Sequence, residues 1–164
     1  MFSAQNILDE DKVIKPLVWE QILERRKAIP SKGSLIEASK AHFKAQGFKK
    51  RNNSWFKFSD SLVACFNVQG SQFNKDYYYI NVGIVVLGVD EKPQLGLGSW
   101  HIQDRVSVED KTVNDMLSEV DAWLEKCFSM DYMEALLKMD HTQRFKEALV
   151  IMPKALDFLE KHNG

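Results

Sequence analysis

Apolar positions along this chain follow two periods, and the change between them marks where helices give way to strands. Between residues 6 and 29, Val18, Ile22 and Ala28 recur among charges at helical spacing, with Pro16 suited to a first turn. The IPSKG stretch interrupts this pattern. Ser34 and Glu37 then have capping-box spacing, Leu35, Ala38 and Phe43 form an apolar stripe, and Gly47 is placed to end a second helix. From Asn53 the period shortens to two. Phe56 and Phe58 alternate with Lys57, and after the SDS turn Leu62, Ala64, Phe66 and Val68 alternate with Val63, Cys65, Asn67 and Gln69. Beyond the GSQFNKD loop, Tyr78, Ile80, Val82, Ile84 and Val86 share one side of a longer strand, opposite Tyr77, Tyr79, Asn81 and Gly83. The Gly- and Pro-containing stretch GVDEKPQLGLG leads into SWHIQDRV, where Trp100, Ile102 and Asp104 alternate with His101, Gln103 and Arg105.

Four sequential strands with short connections make an antiparallel meander. The helical period returns with Val113, Met116, Leu117, Val120, Leu124, Cys127 and Phe128, for which Thr112 and Asp115 supply a start. Met133, Leu136 and Leu137 mark a further helix, and Phe145, Ala148 and Leu149 another. Pro153 opens the last, with Leu156 and Leu159 on its buried side. The expected fold is α+β: a four-stranded antiparallel meander with helices packed on one face, a two-layer sandwich. It is expected to form a single domain over residues 1–164, with a helical C-terminal part at 111–162.

If the aliphatic side of the sheet faces the helices, Asn67, Gln69, Tyr79, Asn81, His101, Gln103 and Arg105 point together to the other side. Side-chain amides offer donors and acceptors without net charge, so this face is the candidate ligand- or partner-binding surface. A solvated sheet face, or one covered by C-terminal chain, would show the same alternation. His101 and Arg105 could join a base to an anion-binding fork. However, Ser71 and Ser99 lack a nucleophile-elbow context and Asp104 should face away, so no catalytic residue is assigned.

Composition narrows the classes. The 164 residues carry 22 basic and 23 acidic side chains, and the near-neutral balance lowers the prior for nucleic-acid binding. A basic run, FKKRNN with Lys44 just upstream, could join ERRK at 24–27 and the three tyrosines at 77–79 in a stacking surface for single strands. The same residues also suit a helix end and a strand edge. Paired acids at Asp9, Glu10 and Asp11, and at Glu109 and Asp110, carry no catalytic spacing, and LGLG at 95–98 lacks a phosphate-loop context. Cys65 and Cys127 lie in apolar stretches and are expected as buried free thiols, and no zinc spacing is present. No metal or cofactor is expected. No apolar run reaches membrane-spanning length and the start lacks a signal-peptide pattern, so a cytoplasmic location without membrane association is expected.

GFKKRNNSWFKF, NVQGSQFNKDYYYINVGI and SWHIQDRV, in that order, resemble the successive blocks of a largely bacterial family, domain of unknown function 4304. The resemblance runs over about residues 34–128. Its pattern falls on Gly47, Phe48 and Lys49, on Asn67, Gln69 and Ser71, on Asn81 and Gly83, and on His101 and Arg105. This chain departs from it at Val68 to Gly70 and in its N-terminal helix. The resemblance implies the fold and the polar strand positions but no reaction.

The leading functional expectation is a non-enzymatic cytosolic binding protein that engages a protein partner through the polar sheet face, with an immunity-type inhibitor as one form. That form is an analogy of architecture with toxin-neutralising proteins. The alternative is an enzyme or sensor in which His101 and Arg105 act on an anionic small molecule held by Gln69, Tyr79 and Asn81. A third is a nucleic-acid module built from Lys49, Lys50, Arg51 and the tyrosines. The sequence sets no oligomeric state.

Overall fold

A computed structural model describes residues 29–162. The expected helix before Ile29, the ERRK run and the acidic cluster at 9–11 lie outside the described residues. The described chain runs α1 (Lys32–Ala45), β1 (Lys49–Arg51), β2 (Ser54–Phe58), β3 (Leu62–Gly70), β4 (Tyr78–Val86), β5 (Ile102–Val106), α2 (Val113–Cys127), α3 (Met130–Lys138), α4 (His141–Phe145), β6 (Val150–Ile151) and α5 (Pro153–His162). The strands form an open antiparallel sheet in the order β1-β2-β3-β4-β5-β6.

The expected architecture is α+β with an antiparallel meander, but the described residues hold six strands where four were expected. The two additions sit at the edges and carry little apolar signal. β1 is the exposed Lys49–Arg51, returned by a two-residue turn in which Asn52 takes φ 56°, a conformation asparagine tolerates better than most residues. β6 is two residues long and pairs with Ile102 and Gln103.

Helix starts follow local side-chain chemistry. α1 begins earlier than expected because Ser31, not Ser34, is the N-cap: its hydroxyl accepts the Ser34 N–H at 3.1 Å. Gly47, at φ +89°, lies just past its end. Thr112 and Asp115, the expected start of α2, form a capping box, Asp140 and Gln143 form a second one on α4, and Pro153 is the first residue of α5.

The main core lies between the sheet and the helices. Leu62, Ala64, Phe66 and Val68 of β3 and Ile80, Val82, Ile84 and Val86 of β4 meet Leu35 and Phe43 of α1, Met116 and Val120 of α2, Met133 and Leu136 of α3, and Ala155 and Leu159 of α5. A one-residue slip of β3 on β4 would turn Leu62, Phe66 and Val68 outward at about 1.5–3 kcal/mol for each. The hydrogen bonds of the opposite face return only about 0.5–1.5 kcal/mol apiece, so the aliphatic side sets the register.

The opposite face carries a second, smaller core. Phe56, Val63, Cys65, Val85 and Trp100 cluster there with Leu87 and Leu95 packed against them. The 87–99 connection thus lies partly over the sheet, held where the Trp100 indole N–H donates to the Leu95 carbonyl at 2.9 Å. Gly83 makes room for this. A Cβ at that position would overlap the indole and lie 2.8 Å from the Ile102 carbonyl oxygen.

Candidate functional site

Register places the polar residues in rows across the strands. Arg51 opposes Ser54, Ser54 opposes Asn67, Asn67 opposes Asn81, and Asn81 opposes Arg105. Directly opposed residues share a face, so this row crosses five strands on the side away from the helices, with an arginine at each end. Gln69 opposite Tyr79 lies beside it on one flank, and Gln103 opposite Gly83 on the other.

Asn81 is the centre of the face and is fully buried (0% exposed) although polar. Its amide nitrogen donates to Asn67 Oδ1 and to Gln69 Oε1, both at 3.1 Å, while its Oδ1 accepts from Arg105 Nε at 3.2 Å and Gln103 Nε2 at 3.5 Å. All its capacity is used, which offsets the cost of burying an amide. Asn67 in turn donates to Ser54 Oγ at 2.8 Å and to the Asn53 carbonyl at 3.3 Å. Among the described residues, no buried side-chain nitrogen or oxygen lacks a partner.

Arg105 is exposed and oriented. Its guanidinium lies over the Tyr79 ring, 4.4 Å from the centroid, and Nε is fixed by Asn81. Its two terminal nitrogens bond no described residue. The neighbouring carboxylates among the described residues form no ion pair with it: Asp104 Oδ1 accepts the Arg105 backbone N–H at 2.9 Å, and Glu109 accepts from the Tyr77 hydroxyl at 3.4 Å. Gln69 similarly accepts through Oε1 and leaves its NH2 group unbonded among the described residues. The open hydrogen-bonding capacity of the face is therefore rich in donors. At the other end of the row, Arg51, Asn52, Ser54, Phe56 and residues 93–97 line a recess of about 450 Å³.

Asn67, Gln69, Tyr79, Asn81, Gln103 and Arg105 are thus brought together, and His101 is not. Strand alternation breaks just before β5: Trp100 packs on the far face over Gly83, whereas Ile102 is in the main core. His101 is fully buried (0% exposed) in this irregular step. Its Nδ1 accepts the Val86 N–H at 2.8 Å, and its Nε2 donates to Asp90 Oδ2 at 3.0 Å. Asp90 Oδ1 meets Lys154 of α5 at 2.7 Å. The nitrogen that a general base would use already accepts the Val86 N–H, so the imidazole ties the 86–90 turn to β5 and α5. Hydrogen bonds from Lys154 and then His101 hold the Asp90 carboxyl below its usual range.

Sequence reasoning missed Arg51 as a member of the row because β1 gave no strand signal, and passed over Ser54 although a strand was expected from Asn53. The Asn52-Asn53 pair, a two-residue turn signal, could have found them. The basic run and the tyrosines are not assembled. β1 and β4 are separated by β2 and β3, Tyr78 is buried in the core, and Tyr79 is covered by Arg105. Lys50 stands over the buried Trp55, 5.5 Å from its ring centroid. Among the described residues no group of three or more His, Cys, Asp or Glu side chains could hold a metal ion, and no helix is long and apolar enough to cross a membrane.

Residues 40–104 match the model of a family described as Domain of unknown function (DUF4304). No curated protein and no solved structure matches the chain.

Proposed function

We propose, for a chain whose residues 40–104 belong to the domain of unknown function 4304 family, a binding protein that engages a protein partner through the polar face of its sheet. An immunity-type inhibitor is one form such a protein takes. The observation that carries this reading is the Asn81-centred network. It holds the Arg105 fork and the Gln69 amide on the sheet face, with the two terminal guanidinium nitrogens and the Gln69 NH2 group left as open donors. A preorganised donor surface loses little side-chain entropy when a partner binds. The occupied Nδ1 of His101 supports binding over acid–base chemistry.

The test uses Gln69→Ala with Arg105→Ala, because both side chains are at least partly solvent-accessible and neither fills the core. The full chain and this variant are immobilised in parallel and exposed to extract from the native cell. A protein held stoichiometrically by the parent and lost by the variant, with the variant still folded and melting in one cooperative transition, is the expected result. Retention of the same proteins by both refutes use of this face.

A further inference from the structure

We infer that the partner element taken by this face is an extended acidic segment that crosses the strands, with one carboxylate on Arg105 and a second on Arg51. This rests on the proposed binding role and goes beyond it by assigning the chemistry of the partner.

Charge is the first argument. The row Arg51–Ser54–Asn67–Asn81–Arg105 has a guanidinium at each end and neutral groups between, and no acidic side chain belongs to it. The Arg105 fork is aimed by Tyr79 and Asn81, and its terminal nitrogens match a carboxylate in bidentate geometry. Gln69 adds neutral donors that suit peptide carbonyl oxygens.

Length is the second. Four strand spacings separate β1 from β5, about 19 Å at roughly 4.8 Å each. An extended peptide advances about 3.3 Å per residue and presents alternate side chains to one side. Two carboxylates about six residues apart, both on the side facing the sheet, would therefore reach both arginines.

The recess beside Arg51 is the third. Phe56, Pro93, Leu95 and Leu97 give its walls an apolar part, which suits an aliphatic side chain just inside the second carboxylate. A single-stranded nucleic acid fits less well. The middle of the row carries no cation, and the Tyr79 ring, which a base would stack on, is covered by Arg105.

The probe is a capped seven-residue peptide with glutamate at both ends, leucine fifth and serine or threonine elsewhere, titrated into the isotopically labelled full chain. The expected result is backbone amide shift changes at Arg51, Asn67, Gln69, Gln103 and Arg105, and binding about tenfold tighter than that of the same peptide with glutamine at both ends. Arg51→Gln and Arg105→Gln should each weaken it about tenfold, and added salt should weaken it further. Equal binding of the glutamine peptide, shift changes elsewhere, or tighter binding of hexathymidylate overturns the inference. A native partner lost by Gln69→Ala with Arg105→Ala, combined with no response to the glutamate peptide, overturns the acidic segment but leaves the binding face standing.

Discussion

Asn81 is a polar side chain that the fold could not easily replace. Four hydrogen bonds converge on it in a fully buried position, and truncation would strand Asn67 Oδ1, Gln69 Oε1 and Arg105 Nε without their partner. Asn81→Ala is expected to cost about 1–3 kcal/mol in urea unfolding, whereas Gln69→Ala, which frees one Asn81 N–H at a half-exposed position, should cost about 1 kcal/mol or less. Asn81 is therefore a support of the surface, and a variant there would confound stability with binding. Alternation in the sequence located Asn81 on the right face. It carried no sign that the side chain would be buried, because burial here comes from Arg105 and the glutamines folding over it. The cysteines were legible from their apolar surroundings. Both are buried, and burial pushes the Cys65 thiol well up and that of Cys127 to about 11. Neither should react with an aromatic disulfide reagent near pH 8 until the chain is unfolded in guanidinium, when both should react.

At the scale of elements, the connection between β4 and β5 departs furthest from what periodicity suggested. Regular alternation through Trp100, His101 and Ile102 would put Trp100 in the main core and His101 beside Arg105. The break arises because the indole has a better site over Gly83, against Phe56, Val63, Cys65 and Val85. Those far-face apolar residues were visible in the sequence, but what would cover them depends on contacts between segments distant along the chain. Gly83→Ala should therefore displace Trp100, with a cost of about 1–3 kcal/mol or more and a red-shifted tryptophan emission in the folded state. His101, released from the polar face, fastens the same connection through Asp90. The Asp90 carboxyl titrates lower when folded than when unfolded. Its contribution to stability is thus present above the unfolded value near 3.9 and lost as pH falls through the lower folded value. Melting temperature measured from pH 6 downward should drop less steeply in Asp90→Asn than in the parent over that acid range.

For the molecule as a whole, the central pair β3 and β4 carries the longest register and the densest burial, while β1 and β6 are short edge strands. Native-state hydrogen exchange should find the slowest amides in β3 and β4 and much faster exchange in β1 and β6. Helices on one layer and an antiparallel sheet on the other were readable from the two periods, because each period is a direct consequence of having one face to bury. The edge strands were not, since three exposed basic residues and a two-residue pairing have no apolar face to announce them. The arrangement around Trp100 has a consequence for how such a chain can diversify. With the indole latched onto Leu95 and the turn at 86–90 pinned by His101, Gly96 borders open space and lies on one wall of the recess. Insertions at Gly96 could reshape what the surface accepts while the amide lattice stays constant, much as an interchangeable bit is fitted to a fixed handle.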